Sequence, residues 1–415
     1  MKKDSLAFTV LLYIFAMTVL SPAAHGAGFA IFTQGAAELA QGNSVIAHTE
    51  GPASLFFNPA LIGKLDGTQA QIGTSMLSPI IKYDSDTPGE DSKTKNMDCF
   101  LSTIYLTHKY SEKFSAGLGL FTPFGLGTKW HSDWEGRYIV TESEMTTLDI
   151  NPALSYKAGP KLSLAAGLNV MLLNTRKENK INQSPNTDGE QKFEGDGDGL
   201  GYNIGLLYEI NDELTMGASY RSSIDVDIAG KVSFDVATSL AAFFPNTDAE
   251  AEITLPAQAH FGLSYRGSQD FQLEAALRWV GWSVYDKVTT KFDKVVPALG
   301  DNKITEVNKW KDTLAFKLGG RYRLSEDTAL FAGYQYEKGA SPDETFYPGT
   351  PDSDSYAISI GSATRHRNFN IKLAYAYKKF EDRQINNNVG APSGTADGEY
   401  EADMHTVAAS LTYSY

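Results

Sequence analysis

The sequence predicts an all-β fold, a transmembrane antiparallel β-barrel of about 14 strands with an N-terminal, mostly helical hatch plugging its lumen. Three observations support this prediction: the chain opens on an export signal, short turns alternate with long polar stretches, and the final residues alternate between two rows. One row is mainly apolar and ends on an aromatic residue, whereas the other is small and mostly polar: Val407, Ala409, Leu411, Tyr413 and Tyr415 against Thr406, Ala408, Ser410, Thr412 and Ser414. Because successive side chains on a strand point to opposite faces, this segment is typical of the closing strand of an outer-membrane barrel.

Residues 1–26 are predicted to be a cleaved signal peptide. Lys2 and Lys3 precede an apolar run over residues 6–20, and Ala24 and Gly26 occupy the small-residue positions of a cleavage site. A single membrane-spanning helix is the alternative, but the run is shorter than the roughly 20 residues that such a helix needs. We therefore expect an exported chain that crosses a membrane only as strands.

The composition fits this class. Charged residues make up 21% of the chain, aromatic residues 12%, and the mean hydropathy is −0.27. A barrel averages to such values because lipid-facing and lumen-facing residues alternate along each strand. The single cysteine, Cys99, excludes an intramolecular disulfide framework, and the formal net charge of −14 disfavours nucleic acid as a partner.

Short polar connections recur between the predicted strands. They lie at residues 110–112, 158–160, 210–212, 267–269, 325–327 and 365–367, and longer polar stretches lie at 84–97, 122–142, 179–197, 230–252, 287–311, 338–352 and 382–401. Short periplasmic turns that alternate with long extracellular loops are typical of outer-membrane barrels. A soluble secreted β-sandwich is the alternative, but it would need compact loops at both ends.

Charged residues on the predicted strands fall in the row opposite the large apolar residues. Lys372 and Lys378 alternate with aromatic and aliphatic side chains over residues 369–378, and Glu274 and Arg278 do the same in an earlier strand. A Lys or Arg on the lipid face near the midplane would cost about 2–4 kcal/mol. These charged rows are therefore expected to line the lumen.

Residues 27–67 are predicted to be a hatch that plugs the lumen, and residues 68–415 to be the barrel. Two segments, 35–41 and 59–65, are short helix candidates separated by glycine and proline breaks. The region is rich in Ala, Leu and Phe and poor in charge, which argues against a free linker. Since it precedes the first strand, it can fold back from the periplasmic side into the barrel.

A series of short motifs runs in order from the hatch through the barrel. They are Ala27-Gly28-Phe29, Gln34-Gly35-Ala36, Asn58-Pro59-Ala60, Pro123-Phe124-Gly125, Trp134-Glu135-Gly136-Arg137-Tyr138, Asn151-Pro152, Tyr220-Arg221-Ser222, Leu255-Pro256, Trp279 with Trp282, Trp310-Lys311-Asp312, Gly333-Tyr334 and Ser341-Pro342. In this set and order the chain resembles the FadL/TodX family of outer-membrane transport proteins for long-chain fatty acids and aromatic hydrocarbons. The resemblance covers essentially the whole mature chain and identifies Asn58, Pro59 and Ala60 as the hatch motif.

The resemblance implies a route for hydrophobic compounds. They would be captured in a groove between extracellular loops, pass to a deeper pocket, and leave into the lipid through a gap at a kinked third strand. That strand would span residues 113–121, and Gly117 and Gly119 are the kink candidates because glycine weakens strand pairing. The alternative is that these glycines make room for the hatch. Long-chain fatty acids are the expected substrates, and toluene-type hydrocarbons are the alternative.

Apolar side chains on the long polar stretches are the candidates for ligand capture. They are Phe124, Leu126, Trp130 and Trp134 in one stretch and Leu240, Phe243 and Phe244 in another. Apolar clusters on surface loops mark binding sites, although packing of one loop on another is the alternative.

A fatty acid would also need a partner for its carboxylate, which cannot be buried without a cation or several donors. The resemblance points to Lys311 and, near the top of the fifth strand, to Arg176. The alternative is that both are lumen charges paired with neighbouring acids, such as Glu178 or Asp312.

No motif in the sequence indicates a cofactor or a metal, and none is expected. His260 and His405 have no neighbouring Ser and acid at the spacing of a triad, and residues 195–199 contain only part of a calcium loop. An outer-membrane enzyme and a general porin are the alternatives to passive uptake of hydrophobic compounds. The expected partners are hydrophobic small molecules, outer-membrane lipid and the barrel-assembly machinery, which would contact the closing strand that ends at Tyr415. The expected location is the cell outer membrane of a Gram-negative bacterium.

Overall fold

The computed structural model describes residues 28–184, 187–391 and 394–415. The predicted signal peptide, residues 1–26, lies outside these residues. Within the described ranges, no helix combines the length and the apolar character needed to span a membrane.

In the part of the chain that the structure describes, 14 antiparallel strands form one closed barrel, as predicted. The continuous strands are Thr68–Ser85, Cys99–Lys109, Glu142–Lys157, Leu162–Ser184, Thr187–Glu209, Thr328–Glu337, Ser355–His366, Phe369–Phe380 and Gly398–Ser414. The first strand closes on the last in an unbroken register from Gln69↔Ser414 to Ser85↔Gly398. Closure removes free strand edges, which is what allows a sheet to sit in lipid.

The third, seventh, eighth, ninth and tenth strands are each interrupted once. Their two segments are, in that order, Phe114–Phe121 and Gly125–Lys129, Leu214–Arg221 and Ile224–Asp235, Thr247–Leu255 and Gln258–Arg266, Phe271–Val280 and Lys287–Val296, and Asp301–Val307 and Thr313–Arg323. Short 3₁₀ helices occupy Glu135–Tyr138, Trp282–Val284 and Asp343–Thr345, and two short extra strands, Ser92–Lys93 and Arg383–Ile385, extend the sheet.

The two faces of the wall carry different side chains. On the last strand Val407 is 48% exposed, whereas Thr406 and Ser410 are buried. On the thirteenth strand Leu373 is exposed and Lys372 is fully buried. The prediction that charged rows line the lumen is confirmed for the thirteenth strand, and on the last strand the buried row is small and mostly polar.

Aromatic residues mark both edges of the outward apolar band. The exposed rings Tyr208, Tyr265, Tyr322 and Phe369 lie next to the short turns. At the other edge lie the exposed rings Tyr202 and Tyr356 and the partly exposed Trp279. The second set therefore defines the level of the extracellular membrane interface.

Several stretches predicted to be long loops are strands that continue beyond this level. Residues 179–197 lie mainly in the hairpin of the fifth and sixth strands, and residues 287–311 lie mainly in the ninth and tenth strands. A sheet that is wet on both faces needs no apolar row. Its sequence therefore lacks the alternation by which a strand is recognised.

The segment that precedes Thr68 lies inside the barrel as a hatch. Helix α1, Ala36–Ala40, packs against the twelfth and thirteenth strands, whereas helix α2, Ser54–Phe57, packs against the third. The 3₁₀ helix Pro59–Lys64 packs against the fourth, fifth and sixth strands. All residues of α1 and α2 are buried, so the prediction of an N-terminal plug with short helices is confirmed.

Candidate functional site

The interruption of the third strand is a one-residue bulge. Phe121 pairs with Asp149 of the fourth strand and Gly125 pairs with Thr146, so four steps on the third strand match three on the fourth. The bulge contains Pro123, which has no backbone N–H to donate to a neighbour. The wall loses its regular hydrogen bonding at this point.

The second strand has no partner on this side at the same height. It pairs with the third strand only from Ile104 to Lys109, so in the ladder of the described residues its segment 99–103 has the first strand as its neighbour and is not covered by the third. Further out, the Lys95 N–H donates to the Lys129 carbonyl at 2.8 Å, which closes the wall again. We call the space between these bonds the third-strand gap. Phe100 beside it faces outward and is 41% exposed, which places the gap within the apolar band.

The start of the hatch fills the third-strand gap from inside. The Ile31 N–H donates to the Pro123 carbonyl, and the Gly125 N–H donates to the Phe29 carbonyl, both at 2.8 Å. The buried Ile31 side chain packs with Leu101 of the second strand. The Gln34 side-chain amide also donates to the Thr122 carbonyl at 2.6 Å. The wall is therefore closed here by three hydrogen bonds and side-chain packing. Such a contact opens at a lower free-energy cost than a full strand ladder.

Phe29 connects the gap to a buried aromatic cluster, which consists of Phe29, Phe124, Trp282, Tyr285 and Trp310. The Phe29 ring centroid lies 4.5 Å from that of Trp282 and 5.2 Å from that of Tyr285, and the Trp282 and Trp310 centroids are 4.9 Å apart. Such edge-to-face contacts are favourable ring geometries. The cluster offers an apolar surface inside the barrel, directly behind the gap.

The interruptions of the ninth and tenth strands supply three of these rings. Trp282 belongs to the 3₁₀ helix of the ninth strand, and Trp310 follows the first segment of the tenth. Gly28 lies against both indoles, and a Cβ atom there would clash with the Trp310 ring. Its φ of 58° also favours glycine, so this position both turns the chain and allows the two rings to approach.

The kink candidates Gly117 and Gly119 do not lie at the interruption. Both are inside the continuous ladder, where Gly117 pairs with Thr107 and Gly119 with Tyr105. A Cβ atom on Gly117 would approach the Leu55 side chain to 2.5 Å. These glycines therefore make room for helix α2, and the break follows at residues 122–124. The physical cause of the break is the extra residue rather than the missing side chains.

The capture candidates fall into separate groups. Phe124 and Leu126 are buried in the core that includes the aromatic cluster. Trp130 and Trp134 stack at a centroid distance of 4.2 Å in another buried core. The remaining three, in the stretch 230–252, are Leu240, Phe243 and Phe244. Phe243 is 52% exposed, and Phe244 packs beside Phe234 in a third core, so the structure does not bring the two stretches together.

The two carboxylate-binding candidates also lie apart. Lys311 is exposed and follows Trp310 directly, and its N–H donates to the Ala340 carbonyl at 2.9 Å. The neighbouring Asp312 accepts hydrogen bonds from the Trp279 indole and the Ser283 N–H, so it is engaged elsewhere.

Arg176 lies in the row opposite the buried Met171 and Leu173 and therefore faces outward. Its guanidinium forms an ion pair with Glu178 and lies 3.8 Å from the carboxylate of Glu194. Arg176 lines an outer cleft in which acidic side chains outnumber basic ones.

The hatch motif works as an anchor. The Asn58 side-chain oxygen accepts from the Ala60 N–H, and its amide donates to the carbonyls of Ile46 and of Leu206 on the sixth strand, at 2.8 and 3.0 Å. Pro59 begins the 3₁₀ helix, where a missing N–H costs nothing. One side chain thus joins the hatch to itself and to the wall.

Two buried ionisable groups of the hatch have shifted pKa values. Burial lowers the pKa of His48, but the Glu274 carboxylate 2.6 Å from its Nδ1 outweighs burial, so the pKa lies above its usual value. Burial raises the pKa of Glu38, and Lys372 opposes this only in part. Glu274 also accepts from the Ala47 N–H at 3.0 Å, so the wall holds the hatch through this carboxylate.

Sequence reasoning missed Tyr285 and the roles of Phe29 and Pro123. Trp282 and Trp310 appeared only as parts of family motifs, because tryptophan near a strand end is equally typical of an interfacial ring. A proline inside an otherwise regular strand pattern was the available signal for the break.

The fold and the site together define a class of protein: an outer-membrane barrel, plugged by its N-terminal segment, with a break in its wall beside an apolar interior. The comparisons with known proteins agree with this class. The family described as "Outer membrane protein transport protein (OMPP1/FadL/TodX)" matches residues 17–415, and the chain belongs to this family.

The similar proteins are distant in sequence. The 47 kDa outer membrane protein of Pasteurella multocida is 24% identical over 90% of this chain and 92% of its own length. The long-chain fatty acid transport protein of Escherichia coli is 20% identical over 89% of this chain and 92% of its own length.

Solved structures show the same fold. A Pseudomonas aeruginosa FadL homologue superposes with a TM-score of 0.85 at 20% identity, covering 93% of this chain and 99% of that one. The Pseudomonas putida toluene transporter TodX superposes with a TM-score of 0.73 at 18% identity, covering 92% of this chain and 98% of that one. The protein is therefore an outer-membrane protein of this transport family.

Proposed function

We propose that the protein is a passive outer-membrane channel for hydrophobic compounds, with long-chain fatty acids as its favoured substrates. The observation that carries this proposal is the third-strand gap, which lies in the apolar band and is backed by Phe29 of the aromatic cluster. A compound that has reached the cluster needs only to displace the start of the hatch to enter lipid.

A sideways route suits an apolar cargo for a physical reason. Each CH₂ group that stays in water instead of an apolar site costs about 0.8 kcal/mol, so an axial, water-filled passage would offer a fatty acid little. The hatch occupies the lumen, and α1 and α2 are fully buried there. This arrangement favours lateral release over a general porin, and membership of a transport family favours a channel over an enzyme.

The similar proteins are named for two different classes of substrate. The Escherichia coli relative is named for long-chain fatty acids, and the Pseudomonas putida structure for toluene. The aromatic cluster suits either cargo, because ring surfaces pack with alkyl chains and with arenes. Aromatic hydrocarbons are therefore the second candidate.

Capture is proposed at two places. Phe243 exposes about half of its ring on the extracellular side and is the first contact, with Leu240 and Phe244 beside it. Phe124 and Leu126 belong to the inner apolar core, whereas Trp130 and Trp134 support the region above it. We propose Lys311 as the partner of a carboxylate, with Arg176 as a weaker candidate because acidic neighbours already surround it.

We also propose two partners for the barrel itself. The outward apolar rows would contact outer-membrane lipid, and the closing strand, which carries Tyr415 at its end, would contact the barrel-assembly machinery.

The test is to measure binding of oleate and toluene side by side, with the mature protein in lipid nanodiscs. Saturable oleate binding that weakens about tenfold in Lys311→Ala, with toluene unaffected, is expected for a fatty acid channel, since a hydrogen bond to a charged group contributes about 1.5–3 kcal/mol. Binding of toluene without binding of oleate would indicate that the substrates are aromatic hydrocarbons instead of fatty acids. Binding of neither, together with ion conductance in a planar bilayer, would contradict the proposal in favour of a porin.

A further inference from the structure

The wall has a second break, between the eighth and ninth strands. The ladder of these strands ends where the Gly281 N–H donates to the Ala257 carbonyl, and in the described chain it resumes only at Ala251↔Thr290. The eighth strand has five residues between these points, 252–256, and the ninth has eight, 282–289. The two strands therefore cannot stay in register here. We call this break the upper gap.

The upper gap contains a cleft of about 710 Å³. Buried apolar side chains form its floor, namely Ile228, Ile253 and Tyr285, with Val288 beside them. Tyr285 is also a member of the aromatic cluster, and its ring lies 5.2 Å from that of Phe29. An apolar surface thus continues from the outer face of the wall to the interior rings.

The upper gap lies at the extracellular interface rather than in the apolar band. Trp279, whose partly exposed ring marks that interface, pairs with Ala259 just below the last ladder bond. Exposed charges surround the cleft beyond it: Asp227, Glu250, Glu252, Lys287 and Lys291. A charged rim over an apolar floor fits a molecule with a polar head and an apolar tail.

The charges at the rim are divided between its two sides. The three carboxylates lie on the seventh and eighth strands, whereas Lys287 and Lys291 lie on the ninth. Neither lysine forms an ion pair within 4.0 Å in the described residues. Lys291 lies opposite Glu250 in the ladder, whereas Lys287 lies opposite Val307 and has no carboxylate across from it. Lys287, with Lys291 beside it, therefore favours an anionic head group on the side of the ninth strand.

We propose that the upper gap is a lateral entry port for single-chain anionic amphiphiles held at the outer headgroup level. The carboxylate binds at Lys287 and Lys291, and the tail passes over Ile253 and Val288 to the aromatic cluster. This inference rests on the proposed function and adds the place of entry, since the third-strand gap serves release.

The port can be closed by a cross-link without changing the interior. Thr254→Cys and Val284→Cys place thiols on opposite sides of the upper gap and leave both lysines in place, and Cys99→Ser removes the single native cysteine. Bismaleimides of graded length would bridge the pair in nanodiscs. The control pair, Lys231→Cys and Asp248→Cys, bridges two paired residues of an intact ladder nearby.

The readout is energy transfer from the cluster tryptophans to cis-parinaric acid, a fluorescent fatty acid. Bridging the port is expected to slow association at least about tenfold while the final amplitude stays the same, and the control bridge should change the rate less than about twofold. In uncross-linked protein, Lys287→Gln with Lys291→Gln should slow association as well, whereas the exposed pair Lys294→Gln with Lys303→Gln should not.

The outcomes separate the port from the channel function. Unchanged association after bridging, with saturable binding retained, would overturn the port and leave the transport proposal standing. Absence of saturable binding in the unmodified protein would overturn the transport proposal and the port together.

Discussion

The barrel wall is broken at two places whose surroundings differ. The third-strand gap results from one extra residue, is bordered outside by Phe100, and is closed inside by the hatch. The upper gap results from three extra residues, is rimmed by charges, and has no hatch segment bonded across it in the described chain. Both lead to the same aromatic cluster. A small change in register is therefore enough to open a wall, and the residues around the break determine which phase it faces.

Deletion of Pro123 should have the largest effect on uptake, because it should close the third-strand gap and leave the upper gap unchanged. It removes the extra residue, so the third strand can regain one-to-one register with the fourth and cover segment 99–103 of the second. Oleate uptake by cells is expected to fall at least about tenfold, which corresponds to about 1.4 kcal/mol. Heat-modifiable migration in gels would verify the folded barrel. Pro123→Ala keeps the bulge and should retain uptake within about twofold; equal loss in both variants would assign the effect to the ring of proline instead.

Weakening the hatch should open the lumen rather than the wall. Asn58→Ala removes three hydrogen bonds that tie the hatch to itself and to the sixth strand, each contributing about 0.5–1.5 kcal/mol. Ion conductance in planar bilayers is expected to rise several-fold. Asn211→Ala, which removes two side-chain hydrogen bonds in a turn outside the hatch, is the matched control and should leave conductance low. Low ion conductance in both variants would show that the hatch stays in the lumen without the hydrogen bonds of Asn58.

Loss of the extracellular rings should have a moderate effect. Phe243→Ser with Phe244→Ser removes partly exposed apolar surface, so oleate affinity is expected to fall about fivefold while the barrel stays folded. Titration of tryptophan fluorescence with oleate measures this change. Leu299→Ser removes a comparably exposed apolar side chain on the same side and should change affinity little. Unchanged affinity in the double variant would exclude these rings from capture.

A rise in pH should have the smallest effect. The pKa of His48 and the pKa of Glu38 are both raised in the folded hatch. A group whose pKa is higher in the folded state than in the unfolded state stabilises the folded state when the pH is below its unfolded-state pKa. That stabilisation is lost as the pH rises through its folded-state pKa. Conductance should therefore increase modestly as the pH rises above the usual His value of 6.5. His48→Gln should reduce the increase, and a flat response in the unmodified protein would contradict this account of the hatch.

The sequence was sufficient to predict the parts of the fold that depend on the two-residue alternation of strands and on amino-acid composition. The closing strand, the charged lumen rows and the hatch were predicted because alternation places side chains on faces whose solvents differ. The resemblance implied a gap at the third strand, but its exact position and its cause were not predicted, and the upper gap was not predicted at all. Register depends on which residues lie opposite each other, and a single chain does not show this. Gly117 and Gly119 illustrate the point: glycine in a strand signals either a bend or a close neighbour, and Leu55 was the neighbour.

The site was predictable only in outline. Phe29, Phe124 and Trp310 were all in motifs, but the cluster forms through long-range packing of Phe29 against Trp282 and Tyr285, which the motifs do not show. Arg176 matched a basic position by sequence, yet the alternation of the fifth strand directs it outward, towards acidic side chains.

The most direct test of lateral release is to map where a fatty acid passes through the wall. A palmitate analogue with a diazirine at its chain end would be added from the extracellular side to the protein in outer-membrane vesicles, irradiated, and located by mass spectrometry. Labels at Leu101, Phe124 and the start of the hatch are predicted, and Pro123 deletion should remove them. Labels on the periplasmic face of the hatch, around Lys64, with none at the third-strand gap would show axial passage and contradict the account.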